Sequence, residues 1–310
     1  MKKYKCLVIL VLIALMIFQY TSCSADKISE ESNATQSEAL LPPVAYTVYV
    51  DFSAGDQPSL QKESSEVTIR SGSEKNFLFA NIDYIEKPEN AADSVSISIY
   101  NKTYEFSYLD SIQSIPSTET SRFKDRAIIN RYKNDIARIE LAAGNNKPVF
   151  FMLNVKEQVK EGSFTEQEAV EAAKSVIEEL YGAGSMEGYS RIQTVDDGET
   201  KQRYTIAFEK KIFGYQTNDS VVVGFDMAGN LISFNSFRFG IMNGAEQDLT
   251  KEEIENAIAY VEDKFSENWN VNTAYTNVVV DTEGDYYIEV SLSRIVEGKI
   301  EAVQLHVNIR

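Results

Sequence analysis

The chain has 310 residues and a formal net charge of −17, the balance of 47 acidic against 30 basic side chains. Because so acidic a surface repels the phosphates of nucleic acid, we expect no nucleic-acid partner. Two cysteines and one histidine supply too few ligands for a transition-metal centre and too few partners for Ser/His/Asp or Cys/His catalysis, so we expect no cofactor and no catalytic residue of those kinds.

The N-terminus has the layout of a signal peptide. A lysine-rich start is followed by an apolar run from Cys6 to Phe18, which is too short to span a bilayer comfortably. Thr21 and Ser22 then precede Cys23. This pattern resembles the lipobox of bacterial lipoproteins, which implies that residues 1–22 form a cleaved signal peptide and that the Cys23 thiol is lipidated. It also implies anchoring to the outer face of the bacterial cytoplasmic membrane. An ordinary signal peptide or an uncleaved anchor is the alternative.

Residues 23–45 are predicted to form a disordered tether. They are mostly Ser, Glu, Asn, Gln and Ala without an apolar period, and Leu41-Pro42-Pro43 closes the segment. Since the protein surface is acidic, we expect the membrane contact to come from the acyl chains of the anchor.

Residues 46–158 are predicted to form a β-rich domain, because apolar side chains recur there at every second position. A first strand is predicted at Tyr46–Phe52. Two hairpins follow, with strands at Val95–Ile99 and Tyr104–Tyr108 in the first and at Ala137–Leu141 and Val149–Val155 in the second. The segment from Phe123 to Lys133 fits either a helix or a strand.

Residues 160–245 are predicted to form a helix followed by an antiparallel sheet. Thr165 and Glu168 form a capping box, and apolar residues from Ala169 to Leu180 recur at helical spacing. The helix is expected to end near Gly182. Predicted strands follow at Arg191–Val195, Tyr204–Lys211, Ser220–Asp226 and Leu231–Phe239.

Residues 246–310 repeat this plan. Thr250 and Glu253 form a second capping box, and Leu249 and Ile254 are placed as a hydrophobic staple. Strands are predicted at Thr276–Asp281, Asp285–Ile295 and Lys299–Ile309. The predicted fold class is α+β, a β-rich N-terminal domain followed by two helix-on-antiparallel-sheet units. We expect the fragment Lys160–Arg310 to fold alone and its second half to be unstable alone, because the two units share apolar surface.

The first of these units resembles the PepSY-type module of extracytoplasmic bacterial proteins. The resemblance lies in the helix start Phe164–Ala169, the strand Tyr204–Phe208 and the hairpin Val221–Leu231. Asp226 and Gly229 flank the turn of that hairpin. The second unit lacks a hairpin with this aspartate and glycine. The plan, with Gly214 in a loop, is also similar to membrane-anchored regulators of wall-sensing two-component kinases. PepSY-type modules bind or restrain peptidases, so the resemblance implies a binding role and no catalytic residue.

Two acidic clusters are candidates for a cation site. One surrounds Gly284 and consists of Asp281, Glu283 and Asp285; the other consists of Asp196, Asp197 and Glu199. Oxygen ligands around a glycine suit Ca²⁺, although the spacing is not that of an EF-hand and tight turns favour Asp and Gly for backbone reasons alone. We assign no metal site and keep Asp281, Glu283 and Asp285 as the calcium alternative.

The other candidate residues have structural explanations. His306 alternates with apolar neighbours and is predicted on the solvent face of the last strand. Ser-x-x-Lys at Ser59–Lys62 and Ser121–Lys124 is attributed to chance, because no Lys-Thr-Gly or Ser-Asp-Asn accompanies it. Two pairs of aromatic residues are predicted to lie in the core rather than in a ligand groove: Phe237 with Phe239, and Tyr286 with Tyr287.

These patterns favour a membrane-tethered lipoprotein that acts as a binding or regulatory module, not an enzyme. The partner classes implied by the resemblances are an envelope peptidase, a peptide or a membrane sensor kinase. The alternative is a cell-envelope hydrolase that works through carboxylates alone, since two Asp or Glu at the right separation suffice for glycoside hydrolysis. A deep cleft with converging carboxylates would indicate the enzyme. A shallow groove or a bare sheet face would indicate the module.

Overall fold

A computed structural model describes residues 45–50, 83–113, 123–196, 203–281, 284–296 and 299–309. The fold is α+β and strand-rich. The strands are β1 (Ala45–Val50), β2 (Asp83–Ile85), β3 (Ser94–Ile99), β4 (Lys102–Gln113), β5 (Ile128–Lys133), β6 (Ala137–Ala142), β7 (Pro148–Leu153), β8 (Tyr189–Asp196), β9 (Arg203–Ile212), β10 (Tyr215–Asp226), β11 (Leu231–Asn235), β12 (Asn270–Val280), β13 (Tyr286–Val296) and β14 (Lys299–Asn308). The helices are α1 (Glu166–Tyr181), the single turn α2 (Ala245–Asp248) and α3 (Lys251–Phe265). Among the described residues, no helix has the length and apolar character needed to cross a membrane.

The described strands form one continuous sheet in the order β1-β14-β13-β12-β10-β11-β7-β6-β5-β4-β2. Strand β3 pairs beside β4, and β9 and β8 extend from β10. Two pairings, β1 with β14 and β10 with β12, are parallel, and the others are antiparallel. Because β7 pairs with β11, the predicted β-rich region continues directly into the first predicted helix-on-sheet unit. Residues Pro43–Arg310 accordingly form one compact unit.

Helix α1 lies over a core to which both sides of the predicted boundary near residue 158 contribute. Its buried stripe is Ala169, Ala173, Val176 and Ile177. In the same core lie buried side chains from β3 to β7 and from β9 to β11, among them Tyr104, Phe106, Ile139, Phe151, Phe208, Val223 and Phe234. Burying each large aliphatic or aromatic side chain is worth about 1.5–3 kcal/mol, so this shared core is a main source of stability.

Helix α3 covers strands β12 to β14 with a second core, as the repeated sequence plan predicts. The predicted capping boxes are present at both helices. At α3, the Thr250 hydroxyl accepts a hydrogen bond from the Glu253 amide at 3.2 Å, and the Glu253 carboxylate accepts one from the Thr250 amide at 2.8 Å. The predicted staple residues Leu249 and Ile254 are both buried in this core. Local sequence therefore places both helix starts correctly.

The predicted hairpins of the N-terminal region are confirmed. Between β3 and β4 the turn residues Tyr100 and Asn101 have φ values of 48° and 62°, the geometry of a type I′ turn. The undecided segment begins as a 3₁₀ turn, Lys124–Arg126, and continues as strand β5. The predicted first strand is present as β1, but it pairs with β14 at the other end of the chain. Strand β14 lies outside residues 46–158, the region to which the sequence assigned the first strand and its partners.

Candidate functional site: the open face of the sheet

The face of the sheet opposite α1 carries the side chains that do not point into the core. Alternation of side chains along each strand identifies them. Residues such as Ile206, Phe208, Val221 and Val223 point into the core under α1. The residues between them must point to the other face, because successive side chains of a strand alternate. We call this surface the open face and define it by the two rows that follow.

The strand register aligns the open face into two rows across five strands. The first row, from β6 to β9, is Glu140, Phe150, Asn235, Val222 and Ala207. The second row is Arg138, Met152, Ser233, Gly224 and Thr205. Met152 is 47% exposed in a central strand, and most of its neighbours on this face are partly exposed. The face is thus mainly uncharged in its middle and open to solvent.

Gly224 leaves the second row without a projecting side chain on β10. A Cβ placed on Gly224 would lie 2.3 Å from the hydroxyl oxygen of Ser233, which would force the serine side chain aside. Because Gly224 has no side chain, the Ser233 side chain can lie across strand β10 at this position. The surface beside Met152 therefore exposes polar Ser233 with no side chain from residue 224 over it.

Charged groups are gathered at the β5–β6 end of the open face. Arg131 binds the Asp110 carboxylate with two nitrogen atoms, and Arg138 lies 3.3 Å from Glu140. The Arg138 guanidinium also stacks 4.9 Å from the centre of the Phe150 ring. Burial raises the pKa of Glu140, and the two arginines oppose that rise. The charges at this end of the face are thus paired with one another.

The hairpin aspartate of the PepSY-like motif, Asp226, is fully buried and holds a turn. Its carboxylate accepts backbone hydrogen bonds from Ala228 at 3.0 Å, Asn230 at 2.9 Å and Val159 at 2.9 Å. The last bond ties the segment before α1 to the β10–β11 hairpin. A close approach confirms this tie, because a Cβ on Gly162 would lie 1.9 Å from a backbone oxygen of the same turn.

A second buried aspartate, Asp219, also accepts hydrogen bonds from backbone amides. It accepts hydrogen bonds from the Tyr189 hydroxyl at 2.6 Å and from the amides of Gly240 at 2.9 Å and Met242 at 3.0 Å. Burial raises the pKa of Asp219, while these hydrogen bonds oppose the rise. Sequence reasoning did not single out Asp219, because it lies in the polar run Gln216–Ser220 before the apolar part of the predicted strand. Its oxygens are occupied by the protein's own donors.

The calcium alternative is only partly described. Glu283 lies outside the described residues. Asp281 is buried, and its Oδ1 accepts hydrogen bonds from the amides of Gly284 and Asp285, each at 2.9 Å. This is the backbone role that turn chemistry predicts for Asp before Gly. Among the described residues, no cluster of three or more His, Cys, Asp or Glu is arranged to hold a metal ion.

The prediction for His306 was wrong. The residue is 4% exposed, and its Nε2 lies 2.9 Å from Oε2 of Glu289 on the neighbouring strand. It is on the face opposite α3, as alternation requires, but β14 has β13 on one side and β1 on the other. A histidine in the middle of a sheet, with a carboxylate beside it, is therefore shielded from solvent.

The remaining candidates divide between the core and the part of the chain that is not described. Phe239, Tyr286 and Tyr287 are buried, and Phe237 packs on a small core cluster, so none of them lines a groove. Asp196 ends β8, while its partners Asp197 and Glu199 lie outside the described residues. The same holds for Cys23, residues 1–22, most of the tether, Ser59–Lys62 and Ser121. Lipidation at Cys23 stays a prediction.

A small polar cleft of about 150 Å³ lies away from the open face, lined by Phe123, Asp125, Arg126, Asn145, Gly240, Ile241 and Asn243. Asp125 is the one carboxylate in this lining. Arg126 donates to the backbone oxygens of Phe237 and Phe239, so its guanidinium holds the segment after β11. The lining does not offer the pair of carboxylates that a glycosidase needs.

Comparison with known proteins leaves the family open. No protein-family model matches the chain, and no curated protein matches it. Among solved structures, the chain is similar to the Bacillus megaterium YpeB C-terminal domain, with 11% sequence identity and a TM-score of 0.33. The match covers 74% of this chain and 87% of that one. A superposition of this quality does not assign a family, so the PepSY-type resemblance stays a prediction from the residues quoted above.

Proposed function

We propose that the protein is a membrane-tethered extracytoplasmic lipoprotein that acts as a binding or regulatory module and holds a partner protein of the cell envelope against the open face. The observation that carries the proposal is the partly exposed, uncharged centre of the open face, over which no described helix packs. Its centre combines an exposed methionine, Met152, with partly exposed uncharged neighbours. Methionine is a flexible contact residue, and interface centres are depleted in charge.

Three of the shielded carboxylates are held by the protein's own donors, which supports a binding role over hydrolysis by these three groups. Asp226 and Asp219 direct their oxygens at backbone amides, and Glu289 at His306. Carboxylates used in this way position strands and turns and are not free to protonate or attack a substrate. By analogy with the modules that the sequence resembles, the proposed partner is an envelope peptidase or a membrane sensor kinase.

Site-specific photo-crosslinking tests the proposal in intact envelopes. A photoreactive amino acid at Thr205, on the open face, is expected to give one dominant protein adduct. The same label at Ser175, on the exposed side of α1, is the matched control and is expected not to give that adduct. In the Thr205-labelled chain, Met152→Glu should suppress the adduct, since it places a charge at the centre of the contact.

Two outcomes contradict the proposal. One is the same set of adducts from both labelled positions. The other is an adduct at Thr205 that Met152→Glu leaves unchanged, because the contact would then not involve the centre of the open face.

A further inference from the structure

The part of the sheet under α1 and the part under α3 meet at a narrow seam between β10 and β12. In the described residues, this parallel pairing consists of Gln216 with Asn277 and Thr217 with Val278. The neighbouring pairing of β12 with β13 has seven residue pairs. Few backbone hydrogen bonds therefore join the two parts, which also share apolar packing, since Ile212, Ile241 and Met242 lie in the core under α3. Local opening of a sheet is easiest where backbone hydrogen bonds are fewest.

A side chain completes the seam. The Asn218 amide nitrogen donates to the backbone oxygen of Val280 at 3.1 Å, and its oxygen accepts from the Val280 amide at 3.2 Å. The Asn218 side chain thus makes the two hydrogen bonds to Val280 that a further backbone residue of the pairing would make. The Val280 amide is protected only while the seam is closed, so it reports directly on opening.

Acidic side chains flank the seam from both sides. The register aligns Lys211, Gln216, Asn277, Glu289 and His306 in one row from β9 to β14. Glu209 lies two positions from Lys211 on the same face of β9. Glu209 therefore belongs to the first part of the sheet and Glu289 to the second, with the seam between them.

The two glutamates differ in how their charge is satisfied. Burial works to raise the pKa of Glu289, but His306 and the Asn277 amide, at 2.9 Å and 3.0 Å, hold it below its ordinary value. In Glu209, Oε2 is buried and has no hydrogen-bond partner among the described residues. Burial raises the pKa of Glu209 to about 7; Asp219 and Glu289 add to the rise and Lys211 opposes it. An ionised Glu209 is thus poorly compensated.

We propose that the β10–β12 seam is a pH-responsive joint, in which loss of the proton from Glu209 adds a poorly compensated negative charge across the seam from Glu289 and loosens the two parts of the sheet. The groups around Glu209 are Lys211 on its own strand, Ser190 on β8, Asp219 and Ser220 on β10, and Glu289 on β13. Arg238 lowers the pKa of Glu289. The joint is a property of the sheet and does not depend on which partner the protein binds.

The direction of the response follows from proton linkage. Glu209 holds its proton up to about pH 7 in the closed seam, and we infer that opening hydrates it and restores an ordinary pKa near 4.5. Opening therefore releases a proton and becomes more favourable as the pH rises from about 4.5 to about 7, with no further change above that range. Partial solvent contact of Glu209 reduces the effect, and we expect about a tenfold rise in the opening equilibrium across this range.

Hydrogen exchange on the full chain tests the joint, with protection factors corrected for the chemical exchange rate. Between about pH 5 and about pH 7.5, the Val280 amide should lose about tenfold in protection, while amides of the β13–β14 hairpin keep theirs. In Glu209→Gln this loss should be absent. In Glu171→Gln, which changes an exposed glutamate on α1, it should persist.

A flat protection profile for Val280 in the parent protein overturns the proposal, and that result needs no variant. An equal loss of protection in Glu209→Gln also overturns it. If Glu209→Gln does not fold, Glu209→Ala takes its place, since it removes the carboxylate without adding a donor, and the same equal loss overturns the proposal.

Discussion

Replacing Asp226 by Asn tests whether the buried hairpin carboxylate is a structural clamp. The change keeps the shape of the side chain but converts one acceptor oxygen into a donor group. In the parent, Oδ1 accepts from the amides of Ala228 and Asn230, and Oδ2 accepts from the amides of Val159 and the Asn230 side chain. With the asparagine oxygen at the first position, its NH₂ group faces two donors at the second.

The expected cost is large for a change of one atom. Each donor left without an acceptor costs about 1–3 kcal/mol, and the bonds that remain lose their charge assistance. The Val159 amide is near solvent and recovers part of its loss through water, so we expect a total of about 3 kcal/mol. Against the usual stability of about 5–15 kcal/mol for a folded domain, this is a substantial fraction.

Urea unfolding at neutral pH, followed by circular dichroism, measures the effect. Asp263→Asn, on the exposed side of α3 where the carboxylate is 74% exposed, is the matched control and should change the free energy of unfolding by less than about 0.5 kcal/mol. A loss in Asp226→Asn as small as in this control would refute the clamp. Faster hydrogen exchange at the Val159 amide should accompany the loss, because that amide gives up its acceptor.

Three further outcomes are expected. His306→Ala removes a partner of the partly buried Glu289 carboxylate and should destabilise the protein by about 2 kcal/mol near neutral pH. Because the pKa of Glu289 lies below its ordinary value of 4.5 in the folded state, its contribution is present above that pH and lost on acidification. The melting temperatures of the parent and the variant should therefore converge at lower pH, and a constant difference would contradict the pairing. The fragment Lys160–Arg310 lacks strands that share the core under α1, so we now expect it to unfold at lower urea concentration than the full chain, and equal midpoints would show that the shared core contributes little. Cys23→Ala should abolish palmitate incorporation and detergent partitioning, and label retained by the variant would rule out lipidation at Cys23.

Local signals in the sequence predicted the helices and most strands. Both capping boxes and the staple at Leu249 and Ile254 are formed as expected, because a helix start depends on groups within a few residues of one another. The β3–β4 hairpin is formed for the same reason, since its turn requires only positive φ at two adjacent residues. The role of Asp226 in a turn was visible in the same way.

Pairing between distant strands could not be predicted from these signals. The parallel pairing of β1 with β14 joins residues near positions 45 and 302, and the pairing of β7 with β11 carries the sheet across the predicted domain boundary. Alternation tells which side chains share a face of a strand but not which strand lies next to it. The burial of His306 was missed because it depends on strands at both of its sides.

The sequence by itself determined where the two long helices begin, where the N-terminal hairpins turn and which side chains of each strand face together, because these properties depend on neighbouring residues and on the geometry of one strand or helix. The tertiary structure alone decided that the strands form a single sheet, that Met152 lies at the centre of an open face, and that Glu209 and Glu289 flank a seam. Those properties depend on strand order and register, which are set by the free energy of the whole core and not by any local pattern.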